Sequence, residues 1–303
     1  MVKTKLKSKL KLKPKKTARA KASHNKLMPV WSLMCRTGKL LWSNKRIFIG
    51  LTIIYGLLDI FLANGFGNSN APQLKQQLAQ VFSGNLAVLG SSAVIFADLI
   101  SSSGGGSNKA AGAYQLFFTI IISLALIWSL RQTVAGGTFR IRDALYKGMT
   151  PLVPFVLVLL LVCAQLLPFI VGASIYNMVI THGIAVLNIE KITWGLLFAA
   201  LTMWSLYMLA ASIVALYIVS LPDMTPMQAL NNSRELVRGR RWTVIRKIIF
   251  LPFGLLILSA LIMLPFIVFA TPLAKYVFFL LSIAMITLTH GYMYNLYRDL
   301  LDE

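Results

Sequence analysis

Four arginines in one short stretch form the clearest candidate site in this sequence. Residues 222–254 read PDMTPMQALNNSRELVRGRRWTVIRKIIFLPFG, and the four clustered arginines are Arg234, Arg238, Arg240 and Arg241, with Arg246 further along. Residues three and four apart lie side by side on a helix, so Arg234, Arg238 and Arg241 share one face. A guanidinium group binds phosphate oxygens through paired hydrogen bonds. This face predicts contact with lipid phosphates; alternatively, its charges only orient the adjacent membrane helix.

The start of the arginine-bearing helix carries its own signals. Thr225 is a good N-cap residue, Pro226 suits the first helical position, and Gln228 completes a capping box. A broken apolar stripe follows at Met227, Leu230, Val237 and Val244. We therefore predict a cytoplasmic amphipathic segment over residues 225–247 that lies on the inner leaflet.

Asp59 is the only acidic residue inside a predicted membrane span. It lies about 18 Å into the apolar run that starts at Ile47. An ionisable side chain at that depth is costly and is by default a functional candidate. The hydroxyl groups of Ser123, Ser205 and Thr287 could partner it in a neutral, structural role. Asp59 is therefore a candidate intramembrane polar site, although a small shift of the span would bring it to the outer interface.

Few other residues have the types or the spacing that catalysis needs. The chain holds 3 His and 9 Asp and Glu residues, with no nucleophile elbow, phosphate loop or zinc-ligand spacing. His290 lies near Tyr292, Tyr294 and Tyr297, which favours an aromatic belt with a hydrogen-bonded His. We therefore expect neither an enzyme nor a bound metal or cofactor.

The composition indicates which elements must position these residues. Of the 303 residues, 57% are apolar and only 13% are charged, whereas soluble domains carry about 25% charged residues. The apolar residues form runs long enough to cross about 30 Å of hydrocarbon. The predicted spans are residues 47–65, 114–130, 151–175, 193–219, 248–270 and 273–295. The sequence thus predicts an all-α, polytopic transmembrane bundle of about six spans, with juxtamembrane amphipathic helices.

The distribution of basic residues predicts the orientation of this bundle. With six spans and a cytoplasmic N-terminus, 26 of the 30 Lys and Arg residues lie on the inner side, as the positive-inside rule requires. If residues 81–100 were a seventh span, four basic residues of the next loop would move outside. We therefore predict that 81–100 is an interfacial or re-entrant element of the outer loop 66–113. Both termini are then cytoplasmic, and the protein lies in the plasma membrane.

The N-terminal region is strongly basic. Fifteen of the Lys and Arg residues fall in residues 1–46, which contain no Asp or Glu. Residues 1–27 predict a disordered tail that is attracted to anionic inner-leaflet lipids. Nucleic acid is a weaker alternative because no aromatic residues interleave the charges. Residues 28–303 form the membrane domain, which begins with Trp31 and Trp42 among basic residues, a pattern typical of a headgroup helix.

An internal repeat accompanies this topology. Three times a basic segment leads into an outward-going span: SLMCRTGKLLWSNKRIFIGL from Ser32, RIRDALYKGMTPLVPFVLVL from Arg140, and NSRELVRGRRWTVIRKIIFL from Asn232. Each span is followed by a return across the membrane, which predicts three helix-hairpin units. The alternative is that every membrane hairpin has basic residues on its inner side.

The arginine-bearing stretch resembles a juxtamembrane element of bacterial membrane proteins. The residues that match an ALxxSxxLVxGxxW pattern are Ala229, Leu230, Ser233, Leu236, Val237, Gly239 and Trp242. This pattern is similar to that of YciC-like six-span proteins and of the membrane domain fused to some glycerophosphodiester phosphodiesterases. The resemblance covers residues 130–300 and implies a helical bundle of mostly unknown activity. The acidic and histidine cluster of the phosphodiesterase is absent from this sequence, so its chemistry is not implied.

Two functions are compatible with these features. The first is a non-enzymatic envelope protein that acts as a scaffold or binds a partner, in contact with anionic lipids. The second is a transporter or channel for a small solute or lipid, with Asp59 and the proline-interrupted spans forming the path. A wet cavity beside Asp59 would indicate a transporter, and a packed bundle would indicate a scaffold. We expect the first.

Overall fold

The described part of the chain is helical. The computed structural model describes residues 28–62 and 109–301, except residues 186, 222 and 223. In these residues there are nine helices and no strand. The helices are α1 (Val30–Ser43), α2 (Lys45–Leu62), α3 (Lys109–Val134), α4 (Ile141–Gly148), α5 (Leu152–Thr181), α6 (Asn188–Ile218), α7 (Pro226–Val237), α8 (Arg241–Phe269) and α9 (Thr271–Leu301). The predicted all-α bundle is confirmed.

Five of these helices are long and apolar enough to cross a membrane. The apolar stretches are Gly112–Val134, Leu152–Thr181, Asn188–Ile218, Arg241–Ile267 and Pro272–Leu301. They belong to α3, α5, α6, α8 and α9, at the positions of the last five predicted spans. The backbone N–H and C=O groups of a helix bond to each other, so a helix needs no hydrogen bonds from the hydrocarbon around it. The chain is therefore a multi-pass membrane protein.

Helix α2 covers the first predicted span as far as Leu62. It runs antiparallel to α9, because Thr52 Oγ1 lies 2.9 Å from Thr287 Oγ1 while Gly56, one turn further along, faces Ile283. A Cβ atom on Gly56 would lie 3.0 Å from Ile283 Cδ1, so the two helices are in close contact. Helix α2 thus lies alongside a membrane-spanning helix.

The order of the helices repeats three times. Each unit has one short helix followed by two long ones: α1–α2–α3, α4–α5–α6 and α7–α8–α9. Every short helix packs on the last helix of the preceding unit, α4 on α3 and α7 on α6, and α1 closes the ring by packing on α9. The two long helices of each unit also pack together. The described helices thus recur in the order short, long, long, and the equivalence of the three units stays a prediction.

Small side chains allow the short helices to lie close to the long ones. A Cβ atom added to Gly148, at the end of α4, would lie 2.9 Å from Ala125 Cα of α3. One added to Gly291 of α9 would lie 2.8 Å from Thr37 Cγ2 of α1. Real Cβ atoms do not approach other atoms this closely, so both contacts require glycine.

Helix α1 has one packed face and one outer face. Leu33 and Thr37 are buried, and Asn295 of α9 donates a hydrogen bond to Thr37 Oγ1 at 3.0 Å. Trp31 and Trp42 are each 73% exposed. The predicted amphipathic helix is therefore present. Its buried face attaches it to α9, the last helix of the bundle.

Candidate lipid-phosphate site

The predicted segment 225–247 consists of α7, a turn and the start of α8. Helix α7 begins as predicted: Gln228 N–H donates to Thr225 Oγ1 at 3.4 Å, and Thr225 N–H donates to Gln228 Oε1 at 3.2 Å. Gly239, in the turn, has a φ of +83°, a conformation that glycine adopts without steric cost. The prediction that Arg234, Arg238 and Arg241 share one helical face is therefore wrong, because the turn redirects the chain and α8 starts at Arg241.

Burial against the bundle determines which side of α7 faces outward. Ala229, Ser233 and Val237 are buried, and α7 packs on α6. Their spacing of four residues puts them on one stripe of the helix. Met227, which the sequence pattern placed in the apolar stripe, is instead 69% exposed, because it lies off this contact. Arg234 and Arg238 lie on the neighbouring stripe that continues from Leu230, and both are exposed.

The turn brings all four predicted arginines around one open pocket. Its volume is about 580 Å³, and its lining is Tyr207, Arg234, Glu235, Arg238, Gly239, Arg240, Arg241, Trp242 and Thr243. The guanidinium carbon of Arg241 lies 4.4 Å from the ring centre of Tyr207 on α6. This cation–π contact orients the arginine at the pocket wall. Four guanidinium groups against the single carboxylate of Glu235 make the pocket strongly positive.

A mostly apolar groove lies beside this pocket on α8. Its volume is about 440 Å³, and it is lined by Trp242, Thr243, Ile245, Arg246 and Ile249. Trp242 and Thr243 line both cavities, so the charged pocket and the groove are adjacent. Trp242 is 67% exposed, as is typical of an aromatic side chain at a membrane interface. The arrangement can hold an anionic group beside a hydrocarbon chain.

The two aromatic residues of the pocket, Tyr207 and Trp242, were not singled out as site residues from the sequence. Tyr207 lies within a predicted span, 27 residues before Arg234, and no local pattern connects it with the arginines. Trp242 was noted only as part of the resembling motif. Its adjacency to Arg241 at the start of an apolar run is the signal that would have assigned it to the interface.

Asp59 lies in the packed core of the described bundle. It is 1% exposed, and neither carboxylate oxygen has a hydrogen-bond partner among the described residues. The three hydroxyl groups considered as partners bond elsewhere. Thr287 pairs with Thr52, Ser123 with His290, and Ser205 with the Gln165 carbonyl. Asp59 lies on the buried face of α2 together with Tyr55 and Gly56, away from the arginine pocket.

The tyrosines near His290 do not form an aromatic belt. Tyr292, Tyr294 and Tyr297 are buried, at 1%, 6% and 8% exposure. His290 Nδ1 lies 3.1 Å from Tyr217 Oη, and its Nε2 lies 2.8 Å from Ser123 Oγ. The predicted hydrogen-bonded His is correct and the belt is wrong, because this end of α9 is surrounded by α3 and α6 rather than lipid.

Two predicted features lie outside the described residues. These are the basic tail 1–27 and the element 81–100 with most of its outer loop. Within the described ranges no group of three or more His, Cys, Asp or Glu residues is arranged to hold a metal ion. The chemistry that the described site offers is the binding of an anion by guanidinium groups.

The fold and this site define a multi-pass helical membrane protein with a basic, aromatic-lined pocket at one end. Comparison with protein-family models, with curated proteins and with solved structures finds no match for this chain.

Proposed function

We propose that this protein is a non-enzymatic membrane scaffold that binds anionic phospholipids of the inner leaflet at the α7–α8 pocket. The observation that carries the proposal is that the four-arginine pocket lies next to the apolar groove along α8 and shares Trp242 and Thr243 with it. Guanidinium groups bind phosphate through two parallel hydrogen bonds. An adjacent apolar groove binds an acyl chain, which a soluble phosphate compound lacks.

The position of the pocket relative to the membrane supports a lipid ligand. The pocket lies where α8 begins, and the apolar stretch of that helix starts at Arg241 itself. A headgroup at this point would leave its acyl chains beside the membrane-embedded part of α8. Trp242 would then lie at the level of the headgroups, where amphipathic rings are favoured.

The orientation belongs to the same proposal. Basic residues concentrate on the end of the bundle that carries the short helices, so this end faces the cytoplasm by the positive-inside rule. Both termini are then cytoplasmic and the membrane is the plasma membrane, with α2 as a sixth span. We also propose that this chain is related to the YciC-like six-span proteins. That relationship implies no particular activity.

Native mass spectrometry of the detergent-solubilised full-length protein tests the lipid site. We expect retention of phosphatidylglycerol in preference to phosphatidylcholine. The double change Arg234→Gln and Arg238→Gln should weaken that retention about tenfold or more, because hydrogen bonds to charged groups are worth about 1.5–3 kcal/mol each. Arg238→Lys, which keeps the charge and loses the planar fork, should give an intermediate result. Lys191→Gln, an exposed lysine at the start of α6, is the matched control.

Equal binding of the anionic and the neutral lipid by the wild-type protein would contradict the proposal. Unchanged phosphatidylglycerol binding after the double arginine change would contradict it as well.

A second candidate function, transport of a small solute, is favoured by the burial of Asp59 without a described hydrogen-bond partner. Against it, α5 continues through Pro168 and α8 through Pro252 and Pro265 without a break, whereas transporter sites commonly use discontinuous helices. Reconstituted vesicles test this function. A proton- or ion-dependent solute flux that Asp59→Asn abolishes would establish transport. The absence of flux with both the wild type and the variant would leave the scaffold function as the proposal.

A further inference from the structure

The second repeat unit carries its own cluster of basic and aromatic residues on α4. Helix α4 is held in one rotation because Ala144 and Gly148 are buried against α3. The close contact of Gly148 with the α3 backbone leaves no room for α4 to turn about its axis. This packing determines which side chains of α4 face outward. Arg142, Tyr146 and Lys147 are exposed.

These side chains surround a second open pocket. It has a volume of about 360 Å³ and is lined by Arg140, Arg142, Asp143, Tyr146 and Lys147. Asp143 already accepts a hydrogen bond from Arg140 N–H at 3.1 Å and caps the start of α4. Three cationic side chains thus face one carboxylate that is engaged in capping. The exposed ring of Tyr146, at 84% exposure, lies beside them.

This pocket lies on the short helix of the second repeat, and the α7–α8 pocket includes the short helix of the third repeat. Each is lined by basic side chains of the short helix of its unit, and each has an exposed aromatic ring, Tyr146 or Trp242. The first unit has the same combination at its α1–α2 junction, where Lys45 Nζ lies 5.1 Å from the ring centre of Trp42. The combination of basic and aromatic side chains therefore recurs with the repeat.

The two pockets also face the same leaflet. Between α4 and α7 the chain crosses the membrane twice, along α5 and back along α6. An even number of crossings returns the chain to the side from which it started. The α4 pocket and the α7–α8 pocket are therefore both on the basic end of the bundle.

The outer face of α5 provides the apolar surface that a lipid needs beside the α4 pocket. Val153, Leu157 and Leu160 are 66%, 53% and 65% exposed, and their spacing of four and three residues places them on one face of the helix. That face begins directly after α4 and its basic residues. A phosphate held at α4 would therefore have its acyl chains against this stripe.

We propose that Arg140, Arg142 and Lys147 form a second anionic-headgroup site, equivalent by repeat to the α7–α8 pocket and on the same leaflet. The ligand is a phosphate ester whose acyl chains lie along α5. This inference rests on the proposed function, since it assigns the same chemistry to a second unit. The protein then holds at least two anionic lipids, one for each of these two units.

Counting bound lipids on the full-length protein tests this site. Native mass spectra are recorded with phosphatidylglycerol for the wild type, for Arg140→Gln/Arg142→Gln/Lys147→Gln, for Arg234→Gln/Arg238→Gln, and for the five changes together. We expect each partial variant to retain one tightly bound lipid fewer than the wild type, and the combined variant to retain two fewer. Lys191→Gln should retain the wild-type number. Thermal unfolding of every variant should match the wild type, because all five replaced side chains are exposed.

The outcomes separate this inference from the function on which it rests. If the α4 variant keeps the wild-type lipid count while the α7–α8 variant loses one lipid, the second site is refuted and the proposed function stands. If neither variant loses a lipid, the proposed function fails as well. Inorganic phosphate and glycerol 3-phosphate form a further arm. If either displaces phosphatidylglycerol at millimolar concentration, the ligand is a soluble phosphate compound and the acyl-chain assignment to α5 is overturned.

Discussion

Lys247 Nζ of α8 lies 3.0 Å from Asp299 Oδ2 of α9, and both side chains are buried. The backbone N–H of Met28 donates to the same carboxylate oxygen at 3.1 Å, and Tyr292 Oη donates to the Lys247 carbonyl at 3.1 Å. The ion pair therefore joins the last two long helices to the segment that precedes α1. It contributes to closing the ring of three units, because α1 belongs to the first unit and α8 and α9 to the third.

Breaking this ion pair from either side should strongly destabilise the protein. Lys247→Met leaves a buried carboxylate unpaired and Asp299→Leu leaves a buried ammonium unpaired, each at a cost of about 3–5 kcal/mol. The double variant removes both charges and should recover most of the loss. Thermal unfolding in detergent measures all three variants. Single variants that unfold at the wild-type temperature would show that the pair does not hold α8 and α9 together.

Replacing His290 should cost stability, whereas replacing His182 should not. His290→Ala removes the imidazole ring that lies within hydrogen-bond distance of Tyr217 Oη and Ser123 Oγ. Two buried hydroxyl groups then lose this hydrogen-bond partner. Each buried polar group left unsatisfied costs about 1–3 kcal/mol. His182 follows α5 and is exposed, so His182→Ala is the matched control. Equal unfolding temperatures for the two variants would contradict the structural role of His290.

Gly148 and Gly112 should respond oppositely to the same change. Gly148→Ala places a methyl group 2.9 Å from the Ala125 backbone and must push α4 away from α3, an overpacking cost of about 1–3 kcal/mol. Gly112, in α3, has nothing within 4 Å of the position of its Cβ, so Gly112→Ala should be neutral or slightly stabilising. The measurement is the unfolding temperature of each. A tolerated Gly148→Ala would mean that α4 packs more loosely than described.

Asp59→Asn should leave insertion intact and keep or raise the unfolding temperature. The change removes an ionisable group from the core of the bundle, where a charge without a described partner is costly. We expect an equal or higher unfolding temperature, because the charge is removed while the polar group stays, with a monodisperse peak in size-exclusion chromatography. A loss of several degrees would instead show that the carboxylate is paired with a residue outside the described ranges.

Cysteine labelling should place the two ends of α5 on opposite sides of the membrane. In a background with Cys35→Ser and Cys163→Ala, Thr138→Cys lies on the basic side before α4, and His182→Cys lies just beyond α5. In intact cells we expect a membrane-impermeant thiol reagent to label the second and not the first. The reverse pattern would invert the proposed orientation.

The same labelling applied to the outer loop tests the predicted element 81–100. Ser69→Cys and Ser102→Cys should both react in intact cells if that element does not cross the membrane. Opposite labelling of these two positions would make it a span.

The sequence determined the class of this protein because the relevant signals are local. Apolar runs of membrane-spanning length predict helices wherever they occur, and the capping residues Thr225 and Gln228 act within one turn of each other. The arginine cluster and the repeat of basic segments before long helices were likewise readable along the chain. None of these inferences needed to know which helices are neighbours.

Only the tertiary structure decided which distant residues meet. The pairing of Lys247 with Asp299, the enclosure of His290 by Tyr217 and Ser123, and the placement of Tyr207 beside Arg241 all join different helices. The rotation of each helix and the turn at Gly239 determine these contacts, and both depend on packing over the whole bundle. The physical reason is that hydrophobicity and capping act within a helix, whereas hydrogen bonds and ion pairs between helices require a specific packing geometry.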